Sequence, residues 1–552
     1  MAWLIEPNVC PGLFYGTSAQ DGFLIRIRTP GGLLNHQQGR AIATLAEQTL
    51  AEQTLAEQWG SHGIQVTNRA NVQIRSVQTS PTVEALETLQ TLGLAAHNPR
   101  IDHLRNVMTS PTAGIDVQEL IDTRPLVRAL DEAIQSHSEL ADLSAKFSIG
   151  IDGGGTVGIG TRSSIPWEHR YNEIQLSAVV GDGKEGLGAW SVGHGECLAI
   201  PDTQAKPICF RLSLGGDKQL WETQVLVAPD DCVAVVAALA KVYLEYVQQS
   251  PRLPKKPRMK HLLQDWGVER YLQQVNHYLP HPLQPAIAAP SLSPTQPYAH
   301  LGIHPQRQSG LSYIGIPLRL GQLTATQLRG VVDLSETFGS CQLRLTPWQT
   351  MVLPDIPDAQ VAEVVRALSA LGLVISENQV ATAIVACAGK PGCAAAETQT
   401  QAHAIALANH LNQNLVLESP VNIHLTGCPK SCAQPSPADI LLMGTGLPTQ
   451  DDGNQPGAEI VEGYQLYING VNSHGGGSAQ DPLEQKATQY HLCDVTASEL
   501  PSTIEQLMKL YKQHRATPHE SFGEFVSKFS RTSLIDNFSR EDRNANHQEI
   551  KH

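Results

Sequence analysis

The sequence predicts an α+β chain of several domains built on an internal repeat. Three observations carry that expectation. At 552 residues the chain is longer than a single hydrophobic core supports. A strand–helix–strand layout occurs twice, about 280 residues apart: IRIRTPGGLL, a helix, then VTNRANVQIRSV, and later IGIPLRLGQLT, a helix, then CQLRLTPWQTMVL. Beyond the second copy, two pairs of cysteines each follow a short apolar run that reads as a buried strand.

Composition bounds the function. Hydrophobic content is 41% and charged content 17%, ordinary for a globular chain. No apolar run approaches a membrane span. The opening MAWLIEPNVCPGLF lacks a basic stretch followed by a long apolar core, so no signal peptide is expected. Ten cysteines without a dense framework predict a reducing, cytoplasmic setting. Cys10, Cys197, Cys209, Cys232, Cys341 and Cys493 are scattered and carry no assigned chemistry. A net charge of −14 argues against nucleic acid as the main partner.

In chain order, Phe23 to Arg28 alternates like a half-buried strand that Pro30-Gly31-Gly32 ends. A helix is predicted from Gln38 to Gln58, with TLAEQ three times in tandem; the five-residue period scatters Leu45, Leu50 and Leu55 over different faces, which excludes a coiled coil. Ile64 to Val77 reads as one extended strand presenting Thr67, Arg69, Asn71, Gln73 and Arg75 on a single polar face. Ile149 to Ile151 is a core strand, followed by a Gly153-Gly154-Gly155 turn with no helix pattern behind it, so a phosphate loop is not expected. Val225 to Val247 reads as a strand and then a helix, and Arg258 to Val275 as a helix pair around Gly267. The Pro-rich stretch from His281 to Gln308 reads as a linker, its histidines as linker residues. Helices are expected over Ala394 to Leu411 and after the Thr496–Glu499 capping box, the latter burying Ile504, Leu507, Met508 and Tyr511.

The chemistry gathers between Ile384 and Met443. Cys387 and Cys393 form a C-x5-C pair, and Cys428 and Cys432 a C-x3-C pair after thirty-four intervening residues. Gly389, Pro391 and Gly392 open one loop, and Gly427 and Pro429 the other. Thiolates at the mouths of two neighbouring strands can converge on one centre. Four soft ligands suit an iron–sulfur cluster or zinc, and the five-residue spacer argues against a zinc knuckle.

This C-x5-C…G-C-P-K-S-C pattern resembles the signature of the sulfite and nitrite reductase superfamily, over about residues 10 to 525. The resemblance implies two ferredoxin-like half-domains that pair, plus two larger α+β domains, related by a pseudo-twofold repeat. The boundaries it suggests are 1–95, 96–255, a helix and Pro-rich linker at 256–309, 310–365, and 366–552 with the cysteines. It implies that Cys387, Cys393, Cys428 and Cys432 hold a [4Fe–4S] cluster and that the last also touches a tetrapyrrole iron. Arg69 and Arg75 on the polar strand, Arg105 in LRNVMTSP and Lys146 in AKFS match, or lie beside, family positions that bind the ring's carboxylates.

Siroheme and the precorrins are both polycarboxylate rings, so the basic residues do not choose between them. Three features point to the precorrin-3B synthase branch: Ser148 where the reductases have a second lysine, Lys430 in GCPKSC, and the similarity of HLTGCPKSCAQPSPADI to that branch, from which Ser431 and Gln434 depart. The expectation is therefore an oxidoreductase, a monooxygenase of cobalamin biosynthesis. It hydroxylates precorrin-3A at C20 with O2 and closes a γ-lactone. An additional mononuclear iron and electrons from a reduced nicotinamide, through a reductase or ferredoxin, go with it; no catalytic residue is assigned. The alternative is a ferredoxin-dependent sulfite or nitrite reductase with siroheme and the cluster. A non-enzymatic cluster-bearing scaffold is the third.

Overall fold

A computed structural model describes residues 11–49, 63–160, 172–181, 207–215, 220–250, 256–283, 292, 295–376, 378, 380–448, 460–471, 487–518 and 520–529. The second TLAEQ copy after Thr49, the third copy, part of the Pro-rich stretch, the acidic loop after Pro448, the Gly-rich turn near Gly475 and the charged tail lie outside these residues.

Four segments follow one another. The first half-domain contains β1 (Thr17–Ala19), β2 (Gly22–Ile27), β3 (Leu33–Asn35), α1 (His36–Thr49), β4 (Ile64–Val66), β5 (Val72–Val77) and α2 (Val83–Thr91). The first α+β segment contains β6 (Val107–Thr109), α3 (Arg124–Ser136), β7 (Ile149–Asp152), β8 (Ile174–Val180), β9 (Ile208–Leu214), β10 (Trp221–Val227), α4 (Cys232–Gln249) and α5 (Met259–Asn276). The second half-domain contains β11 (Gly302–Pro305), β12 (Leu311–Ile316), β13 (Gln322–Leu323), α6 (Ala325–Phe338), β14 (Gln342–Leu345), β15 (Met351–Pro357) and α7 (Val361–Ala370). The second α+β segment contains β16 (Ile384–Ala386), α8 (Thr400–Asn414), β17 (Ile423–Thr426), β18 (Ile440–Pro448), β19 (Ile460–Val471), β20 (Ala487–Thr496), α9 (Leu500–His514) and α10 (Phe522–Ser527).

These segments fold as two compact units. One comprises residues 1–99, 160–168 and 297–552, the other residues 100–159 and 169–296.

In the first unit the half-domains interlock by exchanging a strand. Their sheets run β1-β2-β5-β4-β13 and β11-β12-β15-β14-β3. Gln322 and Leu323 of the second half pair with Gln65 and Ile64 of the first. Leu33 to Asn35 of the first pair with Arg344 to Gln342 of the second. Helices α1 and α6 pack over the sheets in one core containing Ile42, Leu45, Leu328, Val331 and Val332. Each such side chain contributes about 1.5–3 kcal/mol by burial. Arg40 pairs with Asp333 and Glu336, and Arg329 with Glu47, across the same helices. Gly32 has no room for a Cβ, which would sit 2.2 Å from the Leu345 carbonyl oxygen at φ +69°.

The single strand expected over Ile64–Val77 is instead a hairpin of β4 and β5. The turn contains neither Gly nor Pro. Thr67 Oγ1 accepts the amides of Arg69 (3.3 Å) and Asn71 (3.1 Å), and Ala70 takes φ 55°. The second copy repeats this turn. Thr346 Oγ1 accepts the amides of Trp348 and Thr350, both at 3.2 Å, and Gln349 takes φ 62°. The expected correspondence of Thr67 with Thr346 thus extends to Arg69 with Trp348. His300 is no linker residue. It is fully buried, its ring centroid lies 4.8 Å from that of Trp348 with the two planes tilted by 42°, and it bonds Thr350 Oγ1 at 2.7 Å.

The other two sheets share one topology. In the first unit β16, β17 and β18 are parallel and β19 and β20 antiparallel. In the second unit β6, β7 and β8 are parallel and β9 and β10 antiparallel. Helix α5, expected beside a linker, supplies Leu262, Tyr271 and Val275 to the second unit's core, and Gly267 breaks it at φ 74°.

Candidate functional site

Ligand sites in sheets with parallel strands lie beyond the strands' C-terminal ends. Cys387 directly follows β16, and Cys428 stands two residues beyond β17. The apolar runs IVA and IHLT are buried throughout, so the chain must turn outward where they stop. Backbone bonds then fix the loops. The Cys387 amide donates to the Leu425 carbonyl (3.1 Å), Lys390 N to Thr398 O (2.9 Å), Cys393 N to Gly389 O (2.9 Å) and Glu397 N to Gly427 O (2.8 Å). The Gly427 amide points at Cys387 Sγ, 3.2 Å away. Gly389 is required at φ +62°, because a Cβ there would lie 2.4 Å from Thr400 Oγ1. Beyond Cys432, the buried Gln434 donates to Asn422 Oδ1 at 2.6 Å and accepts from Asn422 Nδ2 at 3.2 Å, tying that loop to the start of β17.

All four cysteines line one cavity of about 680 Å³. Cys387, Cys393 and Cys428 are half-buried and Cys432 is exposed. Desolvation first, then the neighbouring Cys428, Cys387 and Cys393, push the Cys432 thiol above its ordinary range, while Lys430 opposes them. The four thiols border one shared space, the placement that a cluster held by four thiolates requires.

The facing wall is polar and basic, with Arg26, Gln65, Asn68, Gln73, Arg75 and Gln349 among its members. Arg75 is where the sequence expectation and the cavity meet. Its guanidinium bonds Asp21 Oδ1 at 3.2 Å and the Gly392 carbonyl, in the first cysteine loop, at 3.4 Å. Arg26 was missed, although the alternation I-R-I places it opposite the buried Ile25 and Ile27; it donates to Gln73 Oε1 at 2.5 Å. Arg69 stands in the hairpin turn, half-buried, and is not one of the wall residues.

Arg105 and Lys146 belong to the other unit. The Arg105 guanidinium is 1% exposed and bidentate to Asp131, at 2.8 Å twice, with Asp102 at 3.7 Å. A cation so committed serves the fold first, and its expected role as a ring contact stands as a proposal. Lys146 is exposed in a turn before β7, and Ser148, where a second lysine was the family pattern, is fully buried.

The half-domains match the family model described as the nitrite/sulfite reductase ferredoxin-like half domain, over residues 17–92 and 304–371. Residues 101–196 match the nitrite and sulphite reductase 4Fe-4S domain. A ferredoxin–nitrite reductase of Synechococcus elongatus is 31% identical over 502 residues, covering 90% of this chain and 88% of the relative. The chain belongs to the nitrite and sulfite reductase family. A ferredoxin-dependent sulfite reductase of Mycolicibacterium paratuberculosis is 28% identical, covering 89% and 80%. The solved NirA protein of Mycobacterium tuberculosis shares the fold, with a TM-score of 0.69 at 23% identity over 93% of this chain and 84% of that one. The family assignment makes the chain an oxidoreductase with the reductase fold, and it supports a [4Fe–4S] cluster and siroheme as its cofactors. These relatives are reductases, so the expected precorrin-3B synthase, its monooxygenase chemistry and its precorrin-3A substrate find no support among them. No described helix is long and apolar enough to cross a membrane.

Proposed function

We propose that the chain is a ferredoxin-dependent reductase of a small oxyanion, nitrite or sulfite, working with siroheme and a [4Fe–4S] cluster. The observation that carries this reading is the single cavity with four thiols on one side and Arg26, Arg75 and amide side chains on the other. Cys387, Cys393, Cys428 and Cys432 would hold the cluster. When bound, the cluster would supply one-electron transfer and the siroheme an iron centre for oxyanion reduction.

The chain's own residues bind and orient. Arg75 and Arg26 offer guanidinium forks to ring carboxylates, each charge-assisted bond contributing about 1.5–3 kcal/mol. Arg69 and Lys146 are kept as proposed carboxylate contacts on the family resemblance alone. Gln65, Gln73 and Asn68 supply amide groups that fix orientation without net charge. Exposed Lys390 and Lys430, on the two cysteine loops, offer an acidic donor protein local positive charge despite the chain's net −14.

The test is turnover. Anaerobic protein with reduced methyl viologen should consume nitrite or sulfite. Inertness toward both, with O2-dependent conversion of precorrin-3A instead, would replace this reading with the oxygenase.

A further inference from the structure

Gln401, one residue into α8, makes contacts in two directions. Its Nε2 donates to the carbonyl of Cys387 at 2.7 Å and to that of Ala386 at 3.1 Å. Two carbonyls can only accept, so the amide nitrogen must face them and Oε1 must face away. Oε1 accepts from Gln322 Nε2 at 2.8 Å. Gln322 lies on β13, the strand donated by the second half-domain, and is registered against Gln65 on β4. Gln65 Oε1 accepts from Gln73 Nε2 at 3.3 Å, and Gln73 Oε1 from Arg26 at 2.5 Å. Gln65, Gln73 and Arg26 are register partners on neighbouring strands. Side-chain bonds thus run from Arg26 through Gln73 to Gln65, whose Nε2 donates to the Leu320 carbonyl at 3.5 Å; the register of β4 and β13 then sets Gln322 beside Gln65, and Gln322 bonds Gln401, which ends the row on the carbonyl of Cys387. Three members of the row, and Cys387 itself, line the cavity.

We infer that Gln401 is a positioning residue that ties the carboxylate-binding wall to the cluster ligand Cys387. The inference rests on the proposed cluster. Thr400 Oγ1 also bonds the Cys387 carbonyl, at 2.8 Å, but Thr400 makes no bond to the row. Gln401 is the member that reaches both, so its loss should loosen Cys387 and also disconnect it from the wall.

The experiment measures iron release from the holoprotein to a chelator under anaerobic conditions, with the EPR spectrum of the reduced cluster. Gln401→Leu and the isosteric Gln401→Glu, which keeps the acceptor toward Gln322 and loses the donor toward Cys387, should each raise the release rate roughly fivefold, the factor carried by one hydrogen bond of ordinary strength. Both should alter the EPR line shape, while thermal unfolding of Gln401→Glu stays with the wild type. Gln322→Leu should give a smaller increase, and Gln322→Leu/Gln401→Leu no more than Gln401→Leu alone, because the two act through one link. Wild-type release and EPR spectrum in both Gln401 variants, or additive effects in the double variant, would overturn the inference. A wild type without iron would remove the cluster reading first, before any variant is compared.

Discussion

The two repeats of this chain have kept opposite parts of one site. Both carry a half-domain hairpin with the same threonine-centred turn, and both carry a sheet of three parallel and two antiparallel strands. In the second repeat the loops beyond β16 and β17 carry thiols. In the first, the loops beyond β6 and β7 are closed by a carboxylate. Asp116, 8% exposed, accepts from Thr112 Oγ1 (3.2 Å), Gln118 N (2.9 Å) and Thr156 N (2.8 Å). The hairpins also differ. The first presents Gln73 and Arg75 to the cavity, whereas the second lends it Gln349 and packs Trp348 against His300. The same backbone therefore carries thiols beyond its strands in one copy and a hydrogen-bonded carboxylate in the other. The cavity needs the first repeat's hairpin and the second repeat's loops together, which strand exchange through β3 and β13 keeps in one unit.

Four substitutions test this division, from the largest effect down. Cys428→Ser should remove about four irons per chain on the four-thiolate model, measured by metal analysis of anaerobically prepared protein; full iron retention would mean the two sheets do not differ as argued. Arg75→Ala should weaken binding of a polycarboxylate tetrapyrrole by about tenfold or more, from the loss of a charge-assisted bond, with iron content kept at the wild-type value. An unchanged titration would return Arg75 to a purely structural tie between Asp21 and Gly392.

Asp116→Ala probes the first repeat's sheet. It leaves buried amides without their acceptor and should cost about 1–3 kcal/mol of stability by denaturant unfolding, with cluster iron untouched. Iron loss in this variant would show that the two sheets are not chemically independent.

His300 sharpens the hairpin contrast through pH. Burial first, and the charge of His304 second, lower its pKa to about 3 from the ordinary 6.5. It stays neutral in the fold while the unfolded chain takes up a proton. The stability it contributes is therefore fully present above pH 6.5 and is lost as pH falls toward 3, at about 1.4 kcal/mol per pH unit. His300→Leu should be the less acid-sensitive chain by about one proton's slope; equal slopes would mean that His300 does not titrate as described.

Much of this was legible in the sequence. Apolar runs broken by Gly and Pro marked β16 and β17, and the paired cysteines marked the cavity's thiol side. The repeat was visible because Thr67 and Thr346 sit in matching strings. The first hairpin turn was not visible, because a threonine hydroxyl and a single positive φ do the work that glycine or proline usually advertises. The ion pair of Arg105 was not visible, because its partner Asp131 lies on a later helix and no local pattern shows a buried ion pair. His300 was misread because the prolines around it suggested a linker, whereas its burial depends on Trp348, far along the chain. Function followed the same division. The motif disclosed a cluster and a polycarboxylate ring, but its occupant depended on a few positions such as Ser148 and Lys430, and full-length relatives outweighed them.

The central claim is that one cavity is built for a cluster and a tetrapyrrole together. Iron stoichiometry and the visible spectrum of the anaerobically purified protein test it most directly. The account predicts about five irons per chain, four in the cluster and one in siroheme, with a tetrapyrrole absorbance that persists through gel filtration. A cluster spectrum without retained tetrapyrrole, or zinc in place of iron, would contradict it.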